Sequence, residues 1–244
     1  QSYDTLLITR QASSHDPSDV MRFSISLSGG GVQLSWSNGV AGVLACTNRY
    51  YSTDPADWFM LAGEVPSPWL HTAASNYASI YYRIAAGAYT SQYDVGAFTL
   101  AIKQSDGVLF RENWVSAPLE FLDHDGNVVP VKSFDELNVA SCLSNETGLL
   151  SRRDRVQSQE PVGGNTYTAS RGNGVWFVDA PSATNWYANK MYLILINPLH
   201  TGADKLLTFV GKVRNAPAHT VGAIVQSDGV LPHENWVGYP YPVL

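Results

Sequence analysis

The chain has 244 residues and a mass of 26.6 kDa, with 15 Lys+Arg against 21 Asp+Glu and a net charge of -6. Only 15% of its residues are charged, while 45% are hydrophobic and 11% aromatic; this supports a sizeable core, excludes disorder and leaves no basic field to neutralise phosphates. Nucleic acid is therefore not expected as a partner. Membrane insertion is not expected either, because apolar runs such as Met191–Ile196 stop well short of the roughly 20 residues of a spanning helix.

Taken in chain order, Gln1 stands where an initiator Met would be, which points to a processed form or a piece of something longer. Val20–Leu27 alternates apolar and polar residues with period 2, as do parts of Gly31–Trp36 and then Ala97–Lys103, and each reads as a half-buried strand. A short helix is expected over Asp54–Ala62, with Asp54 as its cap and Pro55 at the first helical position. Val175–Val178, Met191–Ile196 and Leu206–Val210 read as buried strands. Gly29–Gly31, Asn38-Gly39, Asp106-Gly107, Asp125–Asn127 and Asp228-Gly229 supply the positive-φ positions of tight turns. Elsewhere Gly, Pro, Ser and Asn interrupt every helical period within about a dozen residues. The expected fold class is all-β, as antiparallel sandwiches of immunoglobulin-like or jelly-roll-like type.

An internal repeat organises the chain. Residues 104–115 read QSDGVLFRENWV and residues 226–237 read QSDGVLPHENWV, ten identities in twelve at a spacing of 122. Weaker echoes follow in the same order: Ser2–Leu6 with Ser133–Leu137, Asn38–Val40 with Asn173–Val175, and Thr47–Tyr50 with Thr184–Tyr187. Colinear echoes predict a duplication, with copy 1 over 1–131 and copy 2 over 132–244. The shorter spacing at the last motif leaves copy 1 with about 15 extra residues, around Trp58 to Tyr82. This inferred architecture resembles that of two-domain bacterial fimbrial tip adhesins and tandem-repeat lectins, by fold class alone. It departs from fimbrial subunits in its cysteines, because Cys46 and Cys142 fall in different copies and form no within-domain bridge.

Catalytic signatures are missing. The chain has no G-x-S-x-G, no G-x-x-x-x-G-K-[ST], no H-E-x-x-H and no C-x-x-C. His15, His71, His124, His200, His219 and His233 occupy no matched positions in the two copies, so no shared metal site and no cofactor are expected. Asp123–Asn127 opens like a calcium loop but carries Val128 and Phe134 where an EF-hand needs Gly and Glu, and a D-G-N hairpin turn is the plainer expectation. Asn145-Glu146-Thr147 is an N-glycosylation sequon. A carboxylate pair drawn from Asp54, Asp57, Glu64 and Asp94 is the sole opening for glycoside hydrolysis.

The repeated motif carries the binding expectation. Trp114 and Trp236 offer flat apolar faces, with Asp106, Glu112 and Asn113, or Asp228, Glu234 and Asn235, beside them as directional hydrogen-bonding groups, a combination suited to sugars. The same residues would also serve a purely structural plug, with Asp-Gly turning, Val and Leu entering the core and Trp closing the end of a sandwich. Tyr50, Tyr51 and Trp58 stand near the copy-1 insertion and form a second candidate recognition surface. The sequence thus predicts a non-enzymatic, secreted or surface-displayed carbohydrate-binding adhesin or lectin. Its expected partners are a glycan or host-surface glycoprotein, and two working copies would give avidity. The alternative is a structural subunit of a virion, phage tail or fimbria that self-assembles with other subunits.

Overall fold

The computed structural model describes residues 22–37, 39–48, 51–87, 89–160, 165–188 and 190–214. Of the expected site residues, Tyr50, Asp228, Glu234, Asn235 and Trp236 lie outside them.

The period-2 segments are strands. β1 (Phe23–Ser28) and β2 (Gly31–Trp36) form a hairpin whose turn residues Gly29 and Gly30 take φ of 54° and 81°, a region that glycine enters without steric cost. There follow β3 (Val40–Cys46), β4 (Phe59–Pro66), β5 (Trp69–His71), β6 (Ser79–Ala86), β7 (Tyr89–Thr90), β8 (Val95–Ile102) and β9 (Arg111–Ser116). After the short β10 (Phe121–Leu122), β11 (Val128–Val129) and β12 (Val131–Ser133) come β13 (Arg155–Glu160), β14 (Asn165–Gly172), β15 (Val175–Val178), β16 (Asn185–Tyr187), β17 (Met191–Ile196) and β18 (Lys205–Lys212). Helical structure among the described residues is confined to 3-10 turns of three or four residues, so the protein is all-β with several antiparallel sheets.

The helix expected over Asp54–Ala62 reduces to one 3-10 turn, Pro55–Asp57, capped by Asp54, whose carboxylate accepts from the Ala56 amide at 2.9 Å. The cap and the proline act as expected. The residues after them are drawn instead into β4, where Phe59 and Met60 pair with Ala45 and Leu44 of β3, so sheet pairing overrides the local start signal.

Three sheets matter for the site. A three-stranded sheet has the order β1-β2-β5; a six-stranded one runs β18-β8-β6-β3-β4, with β7 beside β6; a five-stranded one runs β15-β14-β13-β17-β9. Alternation distributes the six-stranded sheet's side chains to two buried faces. Ala41, Val43, Ile80, Ile84, Val95 and Ala97 pack against Phe23, Ile25, Val32 and Leu34 of the three-stranded sheet. Cys46, Tyr81 and Phe98 turn the other way, and on that side Ile102, Leu207 and Phe209 share a core with Val115, Val156, Ala169 and Ile194 of the five-stranded sheet. The six-stranded sheet is therefore the middle of three layers.

The second core is the more aromatic. Trp186 lies flat on Tyr192, with ring centroids 4.0 Å apart, and is flanked by Phe134 and Phe209, all four fully buried. Each such side chain removed from water contributes on the order of 1.5–3 kcal/mol.

Strands pair across the expected 131/132 division in both directions. β9 lies on β17 with Trp114 opposite Leu193, and β18 lies on β8 over eight residue pairs with Phe209 opposite Phe98. The two halves of the chain share sheets. Both cysteines are buried free thiols, Cys46 packed with Tyr81 and Cys142 donating to the Leu206 carbonyl at 3.4 Å.

Candidate functional site

The first copy of the repeated motif divides into a framework and an exposed row. Ser105 accepts from the Gly107 amide at 3.1 Å and donates to the Leu109 carbonyl at 2.7 Å. Asp106 accepts from the Val108 amide at 2.9 Å, and that bond holds its carboxyl below the usual carboxylate range. Gly107 takes φ of 92°. Asn113 is buried; its Oδ1 accepts from the Lys103 amide at 2.8 Å and its Nδ2 donates to the Lys103 carbonyl at 3.0 Å. Val115 enters the core. Asp106 and Asn113, two of the expected ligand groups, are thus engaged in shaping the loop and fastening it to β9.

Trp114 and Glu112 are exposed on the side of β9 opposite Asn113 and Val115. Trp114 is 47% exposed, which corrects the plug alternative for this copy: alternation sends Val115 inward and leaves the indole outside. The indole Nε1 donates to Glu112 Oε2 at 3.3 Å. The register extends this face across the sheet. One row runs Glu112, Leu195, Arg155, Ser170, Phe177, and the next runs Trp114, Leu193, Gln157, Thr168. At about 4.8 Å per strand, the face from Glu112 to Phe177 spans roughly 19 Å. Phe110 stands on the same side of the β9 segment, its ring 5.6 Å from the Arg155 guanidinium. Two half-exposed phenylalanines, one tryptophan, an arginine, a carboxylate and two hydroxyls therefore line one open sheet face. The sequence reading omits Arg155, Phe177, Gln157 and Phe110. The available signal was the alternation of β13, which puts Arg155 and Gln157 on the side opposite buried Val156.

The other expected surface is built differently. Tyr51 donates to Asp94 at 2.6 Å and sets its ring edge-on to Trp58 and Tyr81. Arg83 makes a two-pronged contact with the same carboxylate at 2.8 and 2.6 Å and lies 4.2 Å over the Trp58 ring. The Trp58 Nε1 donates to the Ser52 carbonyl at 3.0 Å. Burial, then the Asp94 hydrogen bond, push the Tyr51 hydroxyl up to about 12. Tyr51 and Trp58 are packed with Arg83 and Asp94, on a different sheet from Trp114. Of the carboxylates considered for hydrolysis, Asp94 is held by this cluster and Asp54 caps the 3-10 turn.

Asp123 folds over its own turn, accepting from the amides of Asp125 and Asn127 at 2.9 and 2.8 Å, with Gly126 at φ 82°. Among the described residues no group of three His, Cys, Asp or Glu is placed to hold a metal ion, and no helix is long and apolar enough to cross a membrane. A cleft of about 510 Å³ beside the Gly29–Gly31 turn is lined by Ser75, Asn138 and Thr208 among others and has no aromatic wall. Comparison with family models, with curated proteins and with solved structures finds no match for this chain.

Proposed function

We propose that this is a non-enzymatic, secreted or surface-displayed binding protein that takes carbohydrate on the outer face of the five-stranded sheet. The observation that carries this is Trp114: an indole 47% exposed, tethered by Glu112, and in register across Leu193 with Gln157 of β13. A flat apolar face beside directional donors and acceptors matches a sugar's C–H face and hydroxyls. The second copy of the motif repeats these residue types as Glu234, Asn235 and Trp236. The test is a glycan-array screen of the full chain beside a Trp114→Ala variant verified as folded. Binding that disappears in the variant sustains the reading; binding that persists moves the site elsewhere; a blank array for the folded wild type overturns it.

A second reading, a subunit that assembles with others, has its own support. Val108 and Leu109 are 75% and 73% exposed at the motif's loop tip. Leu149 and Leu199 are likewise exposed, on loops tied to the same end of the sheet by the Ser105–His200 and Asn197–Ser151 bonds. Concentration-dependent sedimentation that a Val108→Ser/Leu109→Ser pair abolishes would favour it.

A further inference from the structure

At the Phe177 end, the outer face of the five-stranded sheet holds a cavity of about 480 Å³. Leu150, Phe177 and Val178 give it apolar walls; Thr168, Ser170 and Arg155 give it hydroxyls and a guanidinium. Its charge balance is unusual. Arg155 has no carboxylate at ion-pair distance among the described residues. Its neighbour Arg153 is 5% exposed, has Nε and Nη1 without a hydrogen-bond partner, and stacks its guanidinium 3.9 Å from the Phe177 ring. Its Nη2 donates to the Gly148 carbonyl at 3.3 Å.

The acid that the sequence sets between these arginines is turned away from both. Asp154 is fully buried and accepts from the Ser144 amide at 2.6 Å, the Asn197 amide at 2.7 Å and His200 Nδ1 at 2.7 Å. Two guanidinium groups therefore stand at one cavity, one lining it and one behind its aromatic wall, with neither paired with a carboxylate among the described residues. A buried cation without a counter-ion is costly, and an anion placed nearby relieves that cost. The other acid at the cavity is Asp179, whose two carboxylate oxygens accept from the Thr168 amide at 2.8 and 2.9 Å. Each oxygen keeps a lone pair that suits a ligand hydroxyl, and the same charge disfavours a multiply charged anion more than a single carboxylate.

We propose that this cavity recognises the carboxylate of an acidic sugar, of the uronic or sialic class, with Arg155 as the fork that grips it. Phe110 orients the fork from the far side, Asp179 and the Thr168 and Ser170 hydroxyls meet ring hydroxyls, and Phe177 and Leu150 cover the C–H surface. The proposal rests on the glycan reading above and specifies it.

Calorimetric titration of the full chain tests it with five probes: a sialylated trisaccharide, a glucuronic-acid disaccharide, the methyl ester of each, and a sulfated neutral disaccharide. At least one acid is expected to bind about tenfold or more tighter than its ester, since a hydrogen bond to a charged group is worth that much. Arg155→Gln should erase the difference and Arg155→Lys should keep part of it. Equal binding of acid and ester overturns the proposal without recourse to any variant. So does an Arg155→Gln protein that keeps the preference, or a sulfated probe that outbinds both acids. Neutral glycans that bind through Trp114 with no preference for the acid leave the glycan reading standing and remove this one; failure of every glycan removes both.

Discussion

Around Trp58 and around Trp114 the chain assembles the same kinds of side chain: an indole, an arginine, a carboxylate and further aromatic rings. At Trp58 they satisfy one another. Asp94 takes both Arg83 prongs and the Tyr51 hydroxyl, and the guanidinium lies on the indole. On the Trp114 face the indole donates to the neighbouring Glu112, and Arg155 is matched with a ring but, among the described residues, with no acid at ion-pair distance. Composition is shared by the two regions, so it does not separate a packed cluster from a recognition surface. What separates them, among the described residues, is whether the arginine's charge is met by a carboxylate.

Substitutions sharpen that contrast. Asp94→Ala should be the most damaging, at about 3 kcal/mol by urea denaturation, because it strands a largely buried guanidinium. Trp58→Ala, which removes the ring under Arg83 and beside Tyr51, should cost about 2 kcal/mol. Asn113→Ala should cost a similar amount, about 2 kcal/mol, by leaving the Lys103 amide and carbonyl without their partner. Its neighbour Trp114→Ala should stay within about 1 kcal/mol of wild type while abolishing glycan binding. If Trp114→Ala proved as costly as Trp58→Ala, the two regions would not differ in the way described.

The smallest effect is on alkaline stability. The Tyr51 hydroxyl is raised to about 12 from an ordinary value of 10, so the folded state holds its proton more tightly than the unfolded chain does. That contribution is complete below about pH 10 and is lost as pH rises from about 10 to 12. Tyr51→Phe should therefore flatten the fall of the urea midpoint across this window, whereas Trp114→Ala should not change its slope. Tyr81, also raised to about 12 by burial, supplies a remaining slope in the Tyr51→Phe protein.

Much of the local structure is legible in the sequence. Gly31–Trp36, Val175–Val178 and Met191–Ile196 are strands with the bounds that their period and flanking turns indicate, and Gly29, Gly39, Gly107 and Gly126 adopt the positive φ their turns require. Partner choice is not legible in this way. Periodicity says which face of β9 or β18 is buried, but nothing in Arg111–Ser116 specifies β17 as its neighbour more than a strand nearby in the chain. The site follows the same division. Trp114 and Glu112 stand out because they recur, whereas Arg155 and Phe177 join them only through a register set between distant strands.

The reciprocal pairing of β9 with β17 and of β18 with β8 bears on how the chain is made. During synthesis, β8 is complete long before Lys205–Lys212 emerges from the ribosome, and its sheet edge stays uncovered through the making of about a hundred further residues. β9 waits similarly for Met191–Ile196. A sheet edge left open for that interval is a template for pairing with other chains, and closing it late demands contacts of long sequence separation. The first half of this chain released alone would carry that open edge permanently.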